Sequence, residues 1–287
     1  MKQSDPALSI PRQRLDHYLA ERYTDISRAF LQRLCNTDQV LVNGKPEKSG
    51  FKLKPTDEVN VLYDMAGIEK IDDIELPVLY QDDDVIVINK PAGVISHARG
   101  KYWNEPSVAS FIRQLTGQAA ERAGIVHRLD RATSGIMICA KNQESLVFLQ
   151  KQFADRKVQK TYVAVVDGHL TPTEAVIDMP IERNPKLPST FRVGPNGKPA
   201  QTTYKVTKSS ERYDQVSLKP ATGRTHQLRV HLKHQGHPIV GDTLYDGSVA
   251  DRLLLHAAEL TLTLPSGKER TFKAPLPDEF ARYMDQP

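Results

Sequence analysis

The period of hydrophobic and polar positions changes along the chain. Over 13–23 (QRLDHYLAERY), Leu15, Tyr18, Leu19 and Tyr23 recur at near-helical spacing, and Phe30, Leu31 and Leu34 repeat the pattern over 27–35 (SRAFLQRLC). That spacing predicts two short successive helices, each with one apolar stripe. In QVLVNGKPEK, Asn43-Gly44 stands between an apolar run and a charged one, the pair suited to the positive φ values of a tight hairpin turn. FKLKPTDEVNVLY (51–63) then alternates as a strand does, so a compact unit of two helices and a few strands ends near Tyr63. The stretch 64–84 keeps neither period, is acidic and contains Pro77, which predicts a linker.

A longer pattern begins at Val85. VIVIN (85–89), GIMICAK (135–141), KTYVAVVDG (160–168), TTYKVT (202–207), DQVSLKPA (214–221), LLLHAAELTLTLP (253–265) and RTFKAP (270–275) are strand candidates. Helix candidates are 142–155, carrying Leu146, Leu149 and Phe153, and 224–235, stopped by Gly236. Strands outnumber helices without strict alternation, which predicts an α+β domain around a largely antiparallel mixed sheet rather than a doubly wound one. The expected division is a flexible N-terminus at 1–10, a small α/β domain at 11–64, an acidic linker at 65–84 and a large domain at 85–287.

Composition narrows the class. With 39% hydrophobic and 26% charged residues in 287, the chain has the profile of a folded protein, not of a disordered one. No apolar run approaches the roughly 18 to 20 residues of a membrane helix, and MKQSDPALSIPRQ lacks a secretory core, so a cytoplasmic protein is expected. Cys35 and Cys139 are far apart, the latter inside the apolar run GIMICA, and are expected to stay reduced. The net charge of +4 hides an asymmetry: residues 1–85 carry 11 Lys+Arg against 16 Asp+Glu, and residues 86–287 carry 28 against 19. The larger part suits a polyanionic partner, although a scattered solvated surface would give the same count.

Two polar clusters stand out. HRLDRATSG (127–135) sits between a short apolar lead and a buried-looking strand, and its Asp130 lies next to Arg128 and Arg131. Adjacent cations favour an ionised carboxylate, the state a nucleophile or base needs, but the same residues suit a turn cap with a surface ion pair. TGRTHQLRVH (222–231) holds Arg224, His226, Arg229 and His231 around few apolar residues, a pattern equally typical of a solvated helix. Tyr162, between residues of core type, reads by itself as a half-buried aromatic. His231, His234 and His237 are spaced three apart, but no cysteine or carboxylate completes a tetrahedral set, so no metal is expected. There is no phosphate-binding glycine loop, and Ser134 lacks the G-x-S-x-G setting of a hydrolase nucleophile, so no cofactor is expected.

Taken jointly, HRLDRATSG, KTYVAVVDG, TGRTHQLRVHLKHQGHPIVGD and LLLHA, in that order behind NKPAGVISH (89–97), resemble the RluA-type pseudouridine synthases over about 85–276. PRQRLDHYLAER, SRAFLQRL and VLVNGKPEK resemble the alpha-L RNA-binding domain that often precedes that catalytic domain. The resemblance implies an isomerase that converts uridine to pseudouridine in structured RNA after base flipping. It implies Asp130 as the catalytic aspartate, Tyr162 as the tyrosine stacked on the target base and Arg229 as the basic residue paired with the aspartate. Arg128 would fill the gap left by the flipped nucleotide, and Leu255 would line the pocket. His127, Arg224 and His226 fall in the same motifs and are further substrate-binding candidates, while Arg12, Arg14, Arg28 and Lys45 would contact phosphates from the small domain.

One departure is the run Ala98-Arg99-Gly100-Lys101-Tyr102 where the family often has Pro-Gly-rich residues, which bears on substrate choice. Large-subunit ribosomal RNA is the first expected substrate and transfer RNA the second, with a monomer, no metal and no membrane. The alternatives are a catalytically silent RNA-binding or ribosome-assembly factor, and a carboxylate hydrolase, which would want a second acid in the motif.

Overall fold

A computed structural model of the chain describes residues 12–23, 28–63, 74–97, 105–116 and 124–285. The expected flexible N-terminus at 1–10, the first part of the expected linker and the atypical run at 98–102 lie outside the described residues. The backbone divides into two compact units, Met1–Ile74 with His97–Ser110 and Glu75–Ser96 with Phe111–Pro287.

In the first unit, α1 (Leu15–Arg22) and α2 (Arg28–Asn36) precede β1 (Val40–Val42), β2 (Lys45–Pro46) and β3 (Val59–Val61), which form an antiparallel sheet in the order β2-β1-β3. The helical stripes seen in the sequence, Leu15 and Leu19 with Phe30, Leu31 and Leu34, close on Val40, Val42 and Leu53. Asn43 (φ 51°) and Gly44 (φ 77°) make the expected tight turn between β1 and β2. The core also swallows a charge: Asp16 is fully buried and accepts hydrogen bonds from Arg14 (3.0 Å), Arg28 (2.8 Å) and Gln32 (2.6 Å). Burial pushes its carboxyl up, but these donors outweigh it and hold the group well below the usual carboxylate range.

The second unit is built on β4 (Val78–Gln81), β5 (Val85–Lys90), β6 (Ser134–Ala140), β7 (Gln159–Asp167), β8 (Glu174–Asp178), β11 (Gln201–Ser209), β12 (Tyr213–Pro220), β13 (Leu255–Thr263) and β14 (Glu269–Lys273). They form one sheet in the order β4-β5-β6-β13-β7-β12-β11-β8, with β14 beside β13. Every pairing is antiparallel except β6 with β13, as the mixed-sheet expectation allows. A separate ribbon joins β9 (Ile181–Arg183) and β10 (Phe191–Val193). The helices of this unit are α4 (Gln143–Ala154), α5 (Gln227–His234) and α6 (Asp278–Met284), and the division of the chain falls within α3 (Val108–Thr116).

Side chains fill both faces of this sheet. Val85, Val87, Ile136 and Ile138 pack with Leu149 of α4, whereas Ala164, Val166, Val216 and Leu218 pack with Leu228 and Leu232 of α5. Every residue of β6 is buried, which is why SGIMICA reads as a continuous apolar run without alternation. At its start, Gly135 (φ 113°) lies so close to β13 that a β-carbon would stand 2.3 Å from the Ala257 carbonyl oxygen, so the parallel pair tolerates only glycine there.

Three expectations need correction. Val78–Gln81, within the stretch read as linker, is an edge strand paired with β5; Pro77 stands just before it, where no ladder donor is required. The helix placed at 224–235 starts only at Gln227, because His226 takes a left-handed conformation (φ 56°). That helix is also not solvated: Gln227, Arg229 and His231 are buried and each finds polar partners. The elements α3, α6, β8, β9 and β10 are not legible in the periodicity.

Candidate active site

Asp130 lies on the loop that enters β6, and that loop is fastened from beneath. The Ser96 hydroxyl donates to the Leu129 carbonyl (2.7 Å) and accepts the Leu129 N–H (3.0 Å), while the Gly93 N–H binds the Arg131 carbonyl (2.8 Å). Lys90, fully buried at the end of β5, donates to the carbonyls of Pro91 (2.8 Å), Val94 (2.8 Å) and Arg131 (3.3 Å). Three acceptors match the three N–H bonds of an ammonium, while burial, opposed by Asp130, pulls this lysine down to about 7. The segment NKPAGVIS is thus a bracket beneath RLDR, and both lie in the second unit.

Above the loop, α5 and the residue before it present a guanidinium and an imidazole to the carboxylate. Arg229 Nη1 lies 3.6 Å and His226 Nε2 3.8 Å from Asp130 Oδ2, beyond hydrogen-bonding distance in both cases. The expected pairing of Arg229 with Asp130 is therefore a facing charge, and the guanidinium fork closes instead on Asp242 through two 2.7 Å bonds. Asp242 is buried, and although burial lowers the pKa of Arg229, that carboxylate more than restores it. His226 Nδ1 meets the Tyr245 hydroxyl at 2.7 Å, and that oxygen accepts the Phe191 N–H (3.0 Å). Using every donor assigns the hydroxyl proton to Nδ1 and leaves the Nε2 proton aimed at Asp130. Burial lowers the pKa of His226 despite the pull of Asp130, so the ring is neutral at pH 7.

Asp130, His226 and Arg229 line a cavity of about 480 Å³. Tyr162 of β7 and Leu255 at the head of β13 form its apolar side, and burial, reinforced by Asp130, holds the phenol of Tyr162 protonated. His127 stacks on Phe153 at 4.6 Å, its Nε2 occupied by the Ile138 N–H (3.1 Å); burial drives it down to about 3, so it is a neutral wall. Arg128 is exposed at the rim, and Arg224 is tied through Nε to the Pro199 carbonyl (3.0 Å). Eight expected residues, Asp130, Tyr162, Arg229, Arg128, His127, Arg224, His226 and Leu255, thus surround one cavity. The other four belong to the first unit: Arg12 and Lys45 are exposed, whereas Arg14 and Arg28 share Asp16 and are about half exposed.

Sequence reasoning missed Lys90, Ser96, Asp242 and Tyr245 as parts of this site. A signal existed for Lys90, a lysine closing an otherwise apolar strand before a proline turn. Asp242 closes the motif at 222–242 and Tyr245 lies just beyond it, but nothing in the sequence ties them to Arg229 and His226, a link that arises only when 240–245 folds against α5.

Comparisons with known proteins bear on the chain as a whole. Residues 84–234 match the family model described as RNA pseudouridylate synthase, and residues 13–59 match the S4 domain. The ribosomal large subunit pseudouridine synthase C of Vibrio parahaemolyticus is 33% identical over 293 residues, spanning 95% of this chain and 92% of its own. The ribosomal large subunit pseudouridine synthase D of Escherichia coli K12 is 34% identical over 295 residues, spanning 95% and 90%. Among solved structures, human RNA pseudouridylate synthase domain containing 4 aligns with a TM-score of 0.58 at 29% identity, covering 71% of this chain and 90% of that one.

Proposed function

This chain belongs to the RNA pseudouridylate synthase family, and from that premise we propose that it isomerises uridines of large-subunit ribosomal RNA through the Asp130 carboxylate. The observation that carries the reading is the setting of Asp130: a carboxylate faced by Arg229 and His226 at 3.6 and 3.8 Å yet bonded to neither, opposite Tyr162 in one cavity. Its oxygens are free for substrate, and the neighbouring cation stabilises the charge without occupying it.

The reaction breaks the N1–C1′ bond, turns the uracil and joins C5 to C1′. The C5 proton leaves, N1 gains one, and nothing is oxidised or reduced. Both ways of releasing the base, attack of a carboxylate on C1′ or removal of a ribose proton, use one ionised acid, which Asp130 supplies. Tyr162 would stack on the uracil while Leu255 closes the cavity beside it, restraining the detached base as it turns. A stacked nucleotide reaches the cavity only by flipping, at a cost of a few kcal/mol, which Arg128 at the rim would offset by occupying the vacated place. The S4 unit would add phosphate contacts through Arg12 and Lys45 and through the outer faces of Arg14 and Arg28. Large-subunit RNA is favoured because both relatives bear that substrate in their names. Such a substrate would put the enzyme in the cytoplasm, where we expect it to act as a monomer.

The test is chemical mapping of pseudouridine in total RNA from cells with and without the gene, complemented by wild type or Asp130→Asn. We expect large-subunit sites to vanish on deletion and to return only with wild type. Return with Asp130→Asn would refute the assigned role, and loss confined to transfer RNA would refute the substrate.

A further inference from the structure

Two residues before Tyr162 on β7, Lys160 projects from the same face of the strand, ~7 Å along it. Both side chains line the cavity. Lys160 is half-buried, and among the described residues its Nζ has no hydrogen-bond or ion-pair partner; burial alone pushes its pKa below the ordinary lysine value. An ammonium withdrawn from water ordinarily brings a counter-charge with it. Here the protein supplies none, and the nitrogen belongs to a side chain that lines the cavity. Gly223 faces it, and even a β-carbon there would stand only 4.0 Å from Nζ. Arg156, with an exposed side chain, borders the same cavity, whose lining holds five Lys or Arg residues against one carboxylate, Asp130.

Resting on the pseudouridine synthase reading, we propose that Lys160 and Arg156 form an anion subsite for a phosphodiester flanking the flipped uridine. Tyr162 fixes where the base lies, and Lys160 stands about one nucleotide's reach further along the strand. A uracil carbonyl would satisfy an N–H of Lys160 but leave its charge uncompensated. A phosphodiester entering the cavity that Lys160 and Arg156 line does both.

The test measures binding of a substrate RNA to the full chain, with wild type, Lys160→Met and the charge-keeping Lys160→Arg. Each is titrated against the natural RNA and against RNAs carrying one uncharged methylphosphonate linkage on either side of the target uridine. We expect Lys160→Met, and one of the two neutral linkages, each to weaken binding about tenfold. Combining them should cost clearly less than the product of the two losses, the remainder being the Arg156 contact, and Lys160→Arg should bind like wild type. Independent, multiplying effects of variant and linkage would overturn the subsite, as would unchanged affinity in Lys160→Met. Because binding is read without turnover, coupling that persists in a protein forming no pseudouridine would overturn the function reading alone.

Discussion

Neither Arg229 nor His226 comes within hydrogen-bonding distance of Asp130, so the reactivity of this carboxylate depends on how firmly its neighbours are held elsewhere. Arg229 is held by Asp242. Asp242→Asn keeps the shape but removes the charge that offsets burial of the guanidinium, which frees Arg229 to swing onto Asp130 and occupy it. We expect a fall in kcat of roughly 10- to 100-fold with KM changed far less, the size seen when a group orienting an essential residue is removed. Single-turnover kinetics would check it, and an unchanged kcat would refute it. His127 gives a pH prediction. Its pKa in the fold, about 3, lies below its ordinary value of 6.5, so the unfolded chain binds the extra proton between those limits. The His127 contribution is therefore complete above pH 6.5 and is lost as pH falls through that window. His127→Gln, which keeps an acceptor for the Ile138 N–H but takes up no proton, should lose less stability than wild type between pH 6.5 and 4, as read by urea unfolding.

At the scale of elements, the site depends on the parallel seam between β6 and β13. That seam places the Asp130 loop and Leu255 side by side, and it closes only because Gly135 lets the two backbones meet. Gly135→Ala meets both a positive φ and a carbonyl 2.3 Å from the new carbon, so it should destabilise the protein by about 3 kcal/mol or prevent folding. Denaturant unfolding gives the value, and a loss under 1 kcal/mol would refute the claim. The helix α5 shows the opposite dependence. Its polar sequence looks solvated because a helix period reports only which face is apolar, and it says nothing of polar partners arriving from β11 and from the Met179 carbonyl. Once Gln227 and His231 are bonded, burying them costs little, and Arg229 is delivered to the cavity from a rigid element.

For the whole molecule, affinity and chemistry should separate between the units. Arg12 and Lys45 are exposed cations of the S4 unit, whereas Arg14 and Arg28 also neutralise buried Asp16. Arg12→Gln with Lys45→Gln should lower RNA affinity at all salt concentrations tested, leaving kcat unaltered. The slope of log K against log salt should fall by roughly 0.7 to 0.9 for each phosphate that the protein no longer neutralises. Arg28→Ala should instead also destabilise the protein, because a buried carboxylate is deprived of a partner. Filter binding across salt, with thermal unfolding in parallel, distinguishes the two, and equal melting temperatures for wild type and Arg28→Ala would refute the structural half.

What the sequence determined alone are the features that local chemistry enforces. The two helical stripes, the Asn43-Gly44 turn and the buried run of β6 follow from period, turn preference and residue type within short windows, whereas Asp130, Tyr162 and Arg229 stand out only through the order of motifs that resembles a known family. Tertiary structure decided what depends on partners far apart in the chain. It moved the Arg229 fork from Asp130 to Asp242, made an edge strand of Val78–Gln81, buried α5, and set Lys90 and Ser96 beneath the Asp130 loop. Charge and hydrogen-bond partners are settled only when burial removes water as the default partner, and burial is a property of the packed chain, not of any short stretch of it.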